Sequence, residues 1–117
     1  ARSLIGKADV FYTSTDNNVV SAYEALVKVG MDAKIPLVAA DTDSVARGAV
    51  AAYGMDYKAL GVQTGEIVVR ILKGEKPGAI ASETSNKLSL QVNPAAAQKQ
   101  GITLAEDLVK SAAKVVQ

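Results

Sequence analysis

The chain has 117 residues, 49% of them apolar, with a formal net charge of +1 and neither Cys nor His. That is one domain's worth of chain, and it excludes thiol nucleophiles, Cys/His zinc sites, Ser-His-Asp triads and imidazole acid–base chemistry. Lys and Arg are dispersed rather than gathered in a basic stripe, which argues against a nucleic-acid partner.

Asp9 to Tyr12 is a short β-rich run, placing a first strand near 9–12. After it, Val19, Ala22, Tyr23, Leu26, Val27 and Gly30 recur at helical spacing, with Glu24 and Lys28 set for an i,i+4 pair. Thr15, Asp16 and Asn17 are all good residues for the helix start. Pro36 opens Leu37–Ala40, a continuous apolar run of the kind found in a strand buried on both faces, near 36–40. Asp41, Thr42, Asp43 and Ser44 then cap a short helical turn ending near Gly48.

A third strand is read near 49–53, ending at Gly54. A strong helix follows from Tyr57 to Leu72, with Leu60, Thr64, Ile67, Val68, Ile71 and Leu72 on one face and Glu66 paired with Arg70 on the other. Gly74 and Pro77 stop it. Leu88, Leu90 and Val92 alternate with polar residues as a fourth strand, near 88–92. Asn93-Pro94 opens a short helix closed by Gly101, and Thr103 to Glu106 has the form of a capping box for a last helix reaching Val116.

Strands alternating with helices predict an α/β fold: a three-layer α/β/α arrangement on a mainly parallel sheet, with 1–117 forming a single lobe-like domain. In such sheets ligands bind beyond the carboxyl ends of the strands. The polar clusters at 13–17, 41–44 and 54–57 all follow strands, so they should gather along one edge.

Three chemistries fit that rim. Asp16, Asn17, Asp43 and Ser44 could be helix caps and nothing more. Alternatively, apolar residues leading into Asp41-x-Asp43 match the nucleophile motif of haloacid-dehalogenase-type phosphotransferases, in which one Asp attacks phosphate, the second acts as acid/base and Mg²⁺ bridges them. That chemistry also requires a downstream Lys and a further acidic pair at a strand end, and Glu66, Glu75 and Glu106-Asp107 all fall on or beside helices instead. The third reading is a non-catalytic ligand rim without metal or cofactor, in which Asp41 receives an ammonium or hydroxyl group and helix starts receive a carboxylate.

The ordered set of "TDN" after the first strand, "DTDSV" after the second, "G-MDY-LG-QTG" and "ILKGEKP" resembles the carboxyl-terminal half of ABC-transporter solute-binding proteins of the type I periplasmic fold. The similarity runs from about Ala8 to Leu108 and is nearest to the subgroup associated with tryptophan and other aromatic amino acids. It implies one half of a cleft between two lobes, lined by Thr15, Asp16, Asn17, Asp41, Thr42 and Asp43, with Gly54 to Tyr57 near a hinge crossing and Tyr57 a further contact.

The same resemblance implies an amino-acid-like solute, a transporter permease as partner and a place outside the cytoplasm for the parent protein. No signal-peptide pattern is visible, and "ARSLIGKADV" reads like the inside of a longer chain, which puts any targeting segment elsewhere. The Tyr57–Leu72 helix would belong to the other lobe. With that lobe absent, its apolar face predicts self-association of the isolated chain.

Overall fold

In the computed structural model, which describes residues 1–116, the first three apolar runs form strands β1 (Phe11–Thr13), β2 (Leu37–Ala39) and β3 (Ala51–Met55). β1 pairs with β2 and β2 with β3, both parallel, as helical connections between successive strands require. Phe11 lies opposite Leu37, Thr13 opposite Ala39, and Ala39 opposite Ala52. These residues are all buried on one face of the sheet, whereas the alternate residues Tyr12 and Tyr53 remain exposed.

Two helices join β1 to β2: α1 (Asn17–Ser21) and α2 (Tyr23–Ala33). The single helix expected here is broken at Ala22, whose φ of −113° and ψ of 25° leave the helical region. Tyr23 and Val27 of α2 enter the core with Phe11, Leu37, Ala39 and Ala52. Small side chains on the sheet bring the helix close, so loss of a single methylene would be felt. A four-residue helix, α3 (Asp43–Ala46), precedes β3 and contributes the fully buried Val45.

The strand order is β1-β2-β3-β4-β5, with β4 at Leu88–Val92 and β5 at Lys114–Val115. Asn93 N–H donates to Val50 C=O, and Asp56 N–H to Lys87 C=O, so β4 runs opposite to β3. β4 and β5 are parallel, which keeps the sheet mainly parallel. Between them lie α5 (Pro94–Lys99) and α6 (Glu106–Ser111).

Several local expectations are corrected. The last helix does not reach Val116; it stops at Ser111, and Lys114–Val115 pair with Gln91–Val92. The exposed backbone edge of β4 supplies hydrogen bonds that outweigh a weak helical pattern. The capping box at Thr103–Glu106 is not formed, since Ala105 caps α6 with no side-chain bond. Lys28 pairs with Asp32 rather than Glu24, and Arg70 with Glu75 and Glu83 rather than Glu66. In each case i,i+4 spacing supplied a neighbour, but another carboxylate took the cation.

The chain divides into two compact units: Ala1–Gly54 with the segment from Ser89 onward, and Met55–Leu88. In the second, Asp56 caps α4 (Tyr57–Leu72) by accepting from Ala59 N–H at 3.0 Å. The loop after α4 is tied to the helix's polar stripe. Buried Gln63 donates to Glu83 and to Thr84 C=O and accepts from Asn86 N–H, while Arg70 grips Glu75 through two bonds. Among the described residues, no helix is long and apolar enough to cross a membrane.

Candidate functional site

The parallel register sets the site. Thr13 and Ala39 are partners at the carboxyl ends of β1 and β2, and Ala40 N–H donates to Thr13 C=O at 2.9 Å. Two residues further along each strand lie Thr15 and Asp41. The two polar clusters seen in the sequence therefore leave the sheet side by side. The end of β3 closes in beside them at Gly54, where a Cβ would fall on the Ala40 carbonyl oxygen and lie 3.5 Å from the Asp41 Cα. Glycine is what permits that approach.

Asp16 is a true cap: one carboxylate oxygen accepts from the N–H groups of Asn18 and Val19, at 2.9 and 3.1 Å. Its negative charge thus occupies donors that a ligand carboxylate would need. Thr15 and Asn17 beside it are exposed and offer a hydroxyl and an amide. On the second cluster Thr42 is the N-cap residue but makes no side-chain bond, and it is Asp41 rather than Asp43 whose side chain takes a helix-start donor. Asp41 Oδ1 accepts from Ser44 N–H at 2.9 Å and Oδ2 from the Ser44 hydroxyl at 2.8 Å. Asp41 is half-buried, Thr42 is buried and Asp43 is exposed. Tyr57 belongs to the second unit, where it opens α4 and is 55% exposed.

Beneath this rim lie residues that were read from sequence as helix face or plain cap. Tyr23 is fully buried, and its hydroxyl is 3.4 Å from Thr13 Oγ1. Burial is the main influence on the phenol and raises its pKa, with the nearby Thr13 and Ser44 hydroxyls acting against it. Arg47 lies over the Tyr23 ring, 5.4 Å from its centre, and is gripped by Glu24 through bonds of 2.8 and 2.9 Å. The guanidinium hydrogen bond holds the Glu24 carboxyl at about 2. The Asp41-x-x-Ser44 spacing, with a hydroxyl three residues after a capping carboxylate, was the available signal for Ser44. Nothing local marks the Glu24–Arg47 pair.

In the second unit a hollow of about 420 Å³ is lined by Asp56, Lys58, Gln63, Glu66 and Lys87 among others. Its principal charges already answer one another: Asp56 and Lys87 are 3.1 Å apart, and the Ala59 N–H and then Lys87 pull the Asp56 pKa down. Among the described residues no three His, Cys, Asp or Glu side chains gather as a metal site.

A strand-end rim on an open, mainly parallel sheet is the placement of a small-molecule binding site. Residues 1–116 match the model of the ABC transporter substrate binding protein family, and the chain belongs to that family. It is 40% identical over 91 residues to a tyrosine-binding protein of Clostridioides difficile, a match covering 78% of this chain and 26% of that protein. Among solved structures it resembles a conserved domain protein of Vibrio cholerae, with 37% identity and a TM-score of 0.85 over 97% of this chain and 38% of the other. It also resembles an ABC domain from Streptococcus pneumoniae in complex with L-Trp, with 30% identity and a TM-score of 0.81 over 97% of this chain and 40% of that one. The chain therefore spans between about a quarter and two fifths of these relatives' lengths. Nothing in these similarities supports the phosphotransferase alternative.

Proposed function

We propose that this chain supplies the polar side of a solute cleft in the two-lobed binding component of an ABC importer, which captures an aromatic amino acid without catalysis. The observation that carries this reading is the pairing of Thr13 with Ala39, which sets Thr15–Asn17 beside the half-buried carboxylate of Asp41. The L-Trp complex and the tyrosine-binding relative support the class of solute. Asp41 accepts the ligand's ammonium. Thr15 and Asn17 give polar contacts, Asp16 fixes the α1 start that presents them, and Thr42 and Asp43 line the remainder.

The aromatic clamp comes mostly from the opposite lobe, and the importer's permease receives the loaded protein outside the cytoplasm. On its own the chain self-associates through the apolar residues of α4. Calorimetric titration of the two-lobed protein against a panel of amino acids and sugars tests the reading. An aromatic amino acid is expected to bind most tightly, and Asp41→Ala to weaken it about ten- to a hundredfold, as loss of a charged hydrogen bond in a buried site does. An affinity within twofold of wild type would remove Asp41 from the site.

A further inference from the structure

We propose that Ser44 is a positioning residue that aims the Asp41 carboxylate and so sets the preference for a ligand carrying an ammonium group. This rests on the reading of Asp41 as the ammonium acceptor. Ser44 is fully buried and holds both Asp41 oxygens at once, its N–H on Oδ1 and its hydroxyl on Oδ2. A carboxylate has about four acceptor positions. Ser44 fills one on each oxygen, which fixes the carboxylate plane and leaves one on each free for a ligand N–H.

The Ser44 hydroxyl proton is committed to Asp41. A carboxylate held this way pays no ordering entropy when the ammonium arrives. Glu24 completes the arrangement by holding the Arg47 guanidinium, the nearby cation that also feels the Asp41 charge.

The test is a ratio. In the two-lobed protein carrying this chain, affinities are measured for L-tryptophan and L-tyrosine and for their desamino analogues, indole-3-propionate and 3-(4-hydroxyphenyl)propionate. Ser44→Ala is expected to reduce the amino-acid/desamino ratio roughly tenfold, with desamino binding unchanged. A structural role would weaken both ligands together and leave the ratio intact, which would overturn the proposal. Ser44→Thr keeps the hydroxyl and is expected to hold the ratio near wild type, which guards against misfolding in the alanine variant. Asp41→Asn separates the two ideas. If it abolishes the ratio while Ser44→Ala keeps it within twofold, the site stands and the positioning role falls. If Asp41→Asn keeps the ratio, or wild type shows none, both fall.

Discussion

The side-chain carbonyl of Gln100 accepts the backbone N–H of Leu37 at 2.7 Å, across 63 residues of chain. Its amide nitrogen donates to Gly48 C=O at 2.8 Å, so one fully buried side chain ties the start of β2 to the turn before β3. Gln100→Ala would orphan an N–H and a C=O together. The expected loss is about 2–4 kcal/mol in urea unfolding, since each buried polar group left unpaired costs about 1–3 kcal/mol. A loss below about 1 kcal/mol would mean that water replaces the amide.

That contact shows why parts of the fold were hidden in the sequence. α4 was legible because sixteen residues of helical periodicity outvote any local exception, and β1 to β4 were legible as apolar runs bounded by turn residues. β5 was not, because two residues carry no pattern and the strand exists through the edge of β4. At the rim, the clusters were visible but not which aspartate takes the helix-start donor, since both stand within three residues of Ser44. The Glu24–Arg47 clasp and the Gln100 bridge join residues far apart in sequence, where spacing rules are silent.

Gly54 and Gly61 should respond oppositely to alanine. At Gly54 a Cβ would strike the Ala40 backbone oxygen, so Gly54→Ala is expected to destabilise by about 1–3 kcal/mol and to displace Asp41. Around Gly61, inside α4, nothing lies within 4 Å of an added Cβ. Gly61→Ala should therefore stabilise by about 0.5–1 kcal/mol through helix propensity. Chemical denaturation of both variants decides, and equal effects would contradict the close approach of β3 to the rim.

Acid should act partly through Glu24. Its carboxyl is lowered from 4.5 to about 2 by the Arg47 hydrogen bond, so the contribution is present above about 4.5 and is lost as pH falls toward 2. Both partners are on the surface, so the effect is small and salt-sensitive. Glu24→Gln should flatten the pH dependence of stability between those values, measured as midpoint shifts at low ionic strength. An unchanged slope would show that Arg47 does not hold Glu24 in solution.

The isolated chain is expected to self-associate through α4. The polar stripe of that helix, including Gln63 and Arg70, is occupied by the loop that follows it. Its apolar residues are left open: Val62 is 59% exposed, Val69 47% and Leu72 81%. Spaced seven and three residues apart, these three share one face with Gly65, which lets another helix come close. Burying such side chains against a second copy removes about 25 cal/mol per Å² of apolar surface from water. Leu72→Glu with Val69→Lys should therefore shift the population toward monomer by at least tenfold, read by sedimentation across a concentration series. A wild-type mass that stays at 12.1 kDa at the highest concentrations would remove the second copy as the partner of this face.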